Sequence, residues 1–160
     1  MGSGSREKES VWDYPRPPAL EPDTRNVKVE FAGETIANTT GAYRVLETSH
    51  PPSFYIPAAD VNFKFLVGTE KQSFCEWKGM AEYWTVKVGL QIVENAGWSY
   101  PKPSKRFANI KDYVSIYPSK MHACFVGDEQ VQAQDGDFYG GWITSEIEGP
   151  FKGGPGTWGW

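Results

Sequence analysis

Cysteine is nearly absent from this chain, and its two copies, Cys75 and Cys124, stand far apart with no C-x-x-C. That argues against a disulfide framework and against a four-ligand zinc site. The expectation is a reduced, cytoplasmic protein with two free thiols. No apolar run approaches the roughly 20 residues that cross a bilayer, and no signal-peptide pattern precedes the body. A basic excess is also missing. Lys and Arg number 16 against 20 Asp and Glu, for a net charge of −4. Nucleic-acid backbones normally meet a basic face, so nucleic acid and membrane both drop out as partners. A local basic pocket for one phosphate stays compatible with this balance. Neither a phosphate-cradling G-x-x-x-x-G-K nor a G-x-S-x-G elbow occurs, which speaks against P-loop NTPase and α/β-hydrolase readings.

Aromatic residues, by contrast, are abundant: 15% of the 160 residues, with seven Trp. They favour a β-rich fold or an aromatic-lined pocket. The 17 Gly and 12 Pro imply many turns and few long helices. A chain of this length forms one domain and can bury roughly 68–70% of its unfolded surface, so it needs no staple to fold.

Taken in order, residues 1–10 read as a flexible, tag-like start, and residues 11–26 as an extended Pro-rich arm. That arm either packs on its own domain or straps a pocket or partner. Residues 27–142 read as one β-rich domain. Val27, Val29 and Phe31 alternate with polar neighbours, turn at Gly33 and return through Ile36. A third strand runs through Tyr43 and Val45 to Glu47, and Ser49-His50-Pro51-Pro52 ends it. Asp60 is placed to cap a short helix over Val61 to Leu66. Tyr83 to Val88 alternates strongly, Leu90 to Val93 continues it or begins a short helix, and residues 98–103 read as loop. One or two helical turns fit residues 104–112. A strand follows over residues 113–117, then a hairpin over residues 121–133. That hairpin echoes the first, as two sheets related by a pseudo-two-fold would. Residues 143–160 form a Gly/Pro/Trp tail suited to docking. The regular elements predict an all-β or β-dominated domain with one or two short helices.

The densest chemistry lies in residues 73–84, Ser-Phe-Cys-Glu-Trp-Lys-Gly-Met-Ala-Glu-Tyr-Trp. An ammonium near a thiol makes a better nucleophile, so Cys75 with Lys78 is the first candidate pair. The competing roles are a buried inert thiol for Cys75 and a salt bridge from Lys78 to Glu47 or Glu82. Glu47 and His50, at a strand end, offer a carboxylate and an imidazole that would complete a thiol–imidazole–carboxylate set. Tyr55, Trp77, Tyr83 and Trp84 are the expected aromatic walls of a pocket, with Lys78 and Glu47 as its polar contacts. His122 and Cys124, two apart, would share a strand face. With His50 and Cys75 they make only a weak metal set, and the reading assigns no metal and no cofactor. Asp135 and Asp137 hint faintly at a calcium loop, and residues 136–142 at an aromatic flap.

The segments Arg44-Val45-Leu46-Glu47-Thr48, Tyr55-Ile56-Pro57 with Asp60-Val61, Cys75-x-x-Lys78-Gly79 with Tyr83-Trp84, and Tyr113 to Pro118 together resemble the domain of unknown function 427 family, from about Val27 to Ala133. The arm and tail resemble its longer cyanobacterial members. The family is sometimes labelled nucleotidyltransferase-like. The resemblance implies a compact two-sheet β domain, β-tent-like or sandwich- or barrel-like. Zinc-binding β-tent proteins use paired C-x-x-C motifs, which this chain lacks, so zinc does not carry over. Many members place Pro where this chain has Glu76. Three roles follow as expectations: a domain that binds a small polar or anionic molecule, an enzyme with Cys75 as nucleophile assisted by His50 or Lys78, or an assembly protein in which arm and tail clasp a partner or a second copy.

Overall fold

Period-two patterning builds almost all of this molecule. The computed structural model describes residues 7–134 and 140–152. The expected flap over residues 136–142 lies mostly outside them, as do Asp135, Asp137 and the tail from residue 153. In chain order the strands are β1 (Glu9–Ser10), β2 (Ala19–Asp23), β3 (Val27–Phe31), β4 (Glu34–Thr39), β5 (Ala42–Leu46), β6 (Ser53–Tyr55), β7 (Leu66–Cys75), β8 (Gly79–Val88), β9 (Gln91–Ser99), β10 (Val114–Ile116), β11 (Ala123–Val126), β12 (Glu129–Gln130), β13 (Gln132–Ala133), β14 (Trp142–Ile143) and β15 (Ile147–Glu148). The helical segments among the described residues are all short 3-10 turns. The fold is mainly β, with no closed barrel and no helix long and apolar enough to cross a membrane among the described residues.

β3 buries Val27, Val29 and Phe31 and turns Lys28 and Glu30 towards solvent. It lies inside an antiparallel sheet of order β12–β11–β3–β4. The two echoing hairpins therefore meet in one sheet, not in two. β3 pairs directly with β11, Val27 opposite Val126 and Glu30 opposite Ala123. A second antiparallel sheet has the order β10–β9–β8–β7, and a third the order β2–β5–β6. Ile56, just past β6, bridges Val114 of β10 through two backbone hydrogen bonds of 2.8 Å. That bridge joins the third sheet to the edge of the second. One apolar core lies behind β3, β11 and the even-numbered side of β8, where Val86 is buried and Trp84 half-buried. A second, more aromatic core holds Tyr55, Ala81, Tyr83, Trp98, Tyr100, Phe107 and Tyr117.

In the arm, residues Val11–Asp13 form one 3-10 turn ahead of the prolines, with Ser10 Oγ accepting from the Trp12 amide at 3.2 Å. Val11 and Tyr14 pack with Ile147 in a small cluster, and β1 pairs in parallel with β15. Ala19–Asp23, within residues 11–26, is a strand paired with β5. Arg44 of β5 is fully buried and binds Glu9 at 2.9 Å, Glu21, and Asp23 at 3.7 Å. A lone buried guanidinium would be costly. These three carboxylates neutralise it and pin both ends of the arm to the domain.

Several local expectations change. The helix over Val61 to Leu66 does not form. Val61 is extended and bridges Ala37, between 3-10 turns at Ala58–Asp60 and Phe63–Phe65. The Asp60 carboxylate accepts from Thr39 Oγ1 at 2.6 Å instead of capping a helix. Leu90 stands in a turn, and Gln91–Ser99 is strand, so Trp98 and Ser99 are not loop. His122 and Cys124 do not share a face. Cys124 is buried in the first core, whereas His122 is exposed, stacks on Phe31 and accepts from the Ala32 amide at 2.8 Å. Burial pushes the Cys124 thiol up to about 12. No metal-holding group of three His, Cys, Asp or Glu occurs among the described residues.

Candidate functional site

A three-residue turn delivers the central chemistry. β7 ends at Cys75 and β8 starts at Gly79, and the two residues pair directly. Glu76, Trp77 and Lys78 form the loop between them. Gly79 sits at φ +110°, in the left-handed half of the map, and a side chain there would come within 3.2 Å of the Lys102 carbonyl. Ser104 clamps the turn, its Oγ donating to the Trp77 carbonyl at 2.6 Å and its amide to the Lys78 carbonyl at 3.0 Å. The clamp points Cys75 and Lys78 into one cleft of about 330 Å³.

The opposite wall comes from the third sheet and the loop after it. Val45 comes from β5 and Glu47 follows it, and Ser53 and Tyr55 come from β6. His50 reaches the cleft from a tight turn in which Ser49 has φ +71° and the His50 amide donates to the Glu47 carbonyl at 3.0 Å. Of the residues singled out from sequence, Cys75, His50, Glu47, Lys78, Tyr55 and Tyr83 all line this cleft. Trp77 and Trp84 do not. Trp77 packs on the aromatic core from the turn. Trp84 follows Tyr83 in a strand, so it points to the other face, where it meets Phe63 and donates to Ser99 Oγ at 3.0 Å.

Sequence reasoning missed the cleft's other aromatic walls. Trp98, directly opposite Tyr83 in the β8–β9 pair, lines it together with Tyr100 and Tyr117. Trp98 Nε1 donates to the Tyr55 hydroxyl at 3.0 Å, and Tyr83 and Ser73 share a hydroxyl hydrogen bond of 2.9 Å. Burial raises the phenol pKa of Tyr55, Tyr100 and Tyr117, and for Tyr100 the neighbouring Tyr55 and Cys75 add to it. These phenols stay protonated across the physiological range and remain donors. Lys152 also lines the cleft, held by its amide to the Ser49 carbonyl at 2.8 Å and by Gln134 Nε2 to its own carbonyl at 2.6 Å.

Charge in the cleft leans positive. Lys78 is only 8% exposed, yet its ammonium has no hydrogen bond or ion pair with any described residue. It lies 5.9 Å from the Phe107 ring centre and 6.0 Å from that of Tyr100, within cation–π reach. The salt bridge expected to Glu47 or Glu82 is not made. Burial lowers the His50 pKa, and Lys152, Arg16 and Lys78 lower it further against the opposing pull of Glu47. The imidazole is therefore neutral at pH 7. Chemically, the site offers a fixed cation, a neutral base, a half-buried thiol and several hydroxyl donors around one cavity.

No curated protein matches the chain. A family model does match, over residues 19–127, which takes in the Cys75–Lys78 turn, His50 and the aromatic walls as far as Tyr117. The chain belongs to the family described as a domain of unknown function, DUF427.

Proposed function

We propose that this protein is a small-molecule-binding domain whose cleft takes a small anion with an apolar or aromatic body. Lys78 carries the reading. The ammonium of so buried a residue, with no ion pair to any described carboxylate, is poorly solvated until an anion meets it, and this one opens on an aromatic cavity. Lys152 and the phenols of Tyr55, Tyr100 and Tyr117 supply further anion contacts. The volume sits at the low end of the roughly 300–1,000 Å³ typical of ligand pockets, so the ligand is small. The compartment we infer is the cytoplasm, where the Cys75 thiol in the cleft stays reduced.

The test is calorimetric titration with inorganic phosphate, phenyl phosphate and benzoate at low salt. Saturable binding is expected, with the ring-bearing anions tighter than phosphate. In Lys78→Met, affinity falls by about tenfold or more. Equal binding by both proteins, or no binding of any anion by the native chain, refutes the reading.

A further inference from the structure

Beyond binding, the cleft holds the parts of a covalent step. We propose that Cys75 accepts an acyl group from a small activated carboxyl compound whose leaving group is an anion held by Lys78. The proposal rests on the anion-binding reading above and adds a reaction to it.

The clamped hairpin fixes thiol and ammonium three residues apart with both side chains on the cleft. A thiol alone would say little. The second observation is Lys78 itself, more than nine-tenths buried and without a hydrogen bond or ion pair among the described residues. Cys75 also shares the cleft with His50, whose neutral form can take a proton, and with Glu47, which interacts electrostatically with that imidazole. The Tyr55 hydroxyl accepts from Trp98 Nε1 at 3.0 Å, keeps its own proton and lines the same cleft as Cys75, where it can donate to a developing oxyanion.

With an acyl phosphate as donor the step balances. The Cys75 S–H proton passes to His50. Sγ attacks the carbonyl carbon, and an S–C bond forms. The C–O bond to phosphate breaks, its electron pair leaves on the phosphate oxygen, the imidazolium returns the proton to that oxygen, and a thioester remains beside hydrogen phosphate held by Lys78. Water then attacks the thioester carbon as His50 takes one of its protons, the S–C bond breaks to leave a carboxylic acid, and the thiolate recovers that proton from the imidazolium. No oxidant, reductant or metal takes part.

The probe is acetyl phosphate, with intact-mass and peptide mass spectrometry as readout and amide-resolved NMR confirming that each variant is folded. The native protein should gain one acetyl group on Cys75. The rate should saturate with acetyl phosphate and be inhibited competitively by inorganic phosphate. Cys75→Ala abolishes that adduct. His50→Gln slows it by about a hundredfold, and Lys78→Met slows it by about tenfold or more while raising the half-saturating concentration. A rate that never saturates and is unchanged in Lys78→Met would mean an accessible thiol only, and it overturns the proposal. Acetylation confined to surface lysines overturns it too. If phosphate binds by calorimetry but Cys75 stays unmodified, the acyl step falls and the binding site stands. If none of phosphate, phenyl phosphate and benzoate binds either, both fall.

Discussion

Replacing Lys78 by Met should make the ligand-free protein more stable, not less. The Lys78 side chain is 8% exposed and its ammonium meets no carboxylate among the described residues. Two ring contacts, to Tyr100 and Phe107, offset part of the lost hydration. At about 0.5–1 kcal/mol each they contribute about 1–2 kcal/mol. The effective penalty for a buried charge is several kcal/mol. Met fills nearly the same volume along the stem and keeps its packing. The difference favours Met by about 1–2 kcal/mol, or about 2–8 °C in Tm for a chain of this size. Urea unfolding at pH 7, without and with phosphate, measures it. Without phosphate, Lys78→Met should have the higher midpoint at an unchanged slope. With phosphate, the native protein should gain and the variant should not, so the gap narrows or reverses. A variant that loses more than about 1 kcal/mol without ligand would refute the reasoning. Lys78 would then be a structural cation whose stabilising contacts outweigh its desolvation.

Other outcomes follow from the same geometry. Arg44→Met strands the carboxylates of Glu9 and Glu21 around an apolar side chain, while Asp23 keeps its ion pair with Arg25 at 2.7 Å. It should cost about 3–5 kcal/mol by urea unfolding, and a triple change that also removes Glu9 and Glu21 should recover much of it. Because the folded His50 pKa lies below the ordinary 6.5, the unfolded chain takes up a proton that the folded chain refuses. Stability is full above about pH 6.5 and declines as pH falls towards the folded value, and His50→Gln should flatten that decline in urea midpoints. Alkylation at pH 8 should label Cys75 in the folded protein and leave Cys124, buried in the first core, untouched until unfolding. Equal labelling of both thiols would contradict the burial of Cys124.

How far the sequence revealed this site turns on strand parity. The density of residues 73–84 pointed to one wall of this cleft and Pro51-Pro52 to a loop on the other, so Cys75, Lys78, His50 and Glu47, which line it together, were named from residue chemistry alone. Trp84 was misplaced because the alternation seen over Tyr83 to Val88 was not carried into the choice of pocket walls. Tyr83 and Trp84 are neighbours in one strand and cannot wall the same cavity. Trp98 was missed for the opposite reason. The loop signal of Ser99 to Pro103 outweighed the strand that runs into it, and the turn at Gly89-Leu90 went unused. That turn pairs Val88 with Gln91, and extended regularly it would set Tyr83 opposite Ala96. A bulge around Asn95, which has φ +53°, moves the partner of Tyr83 two places, to Trp98. A two-residue shift leaves parity unchanged, so Trp98 falls on the face of Tyr83 under either register. The turn alone was therefore enough to set that indole against the cleft. Lys152 and Tyr117 had no such local signal. The first is carried in by backbone contacts to Ser49 and Gln134, the second by the hydrogen bond of its amide to the Ala96 carbonyl. Both are long-range pairings that pattern and spacing do not encode.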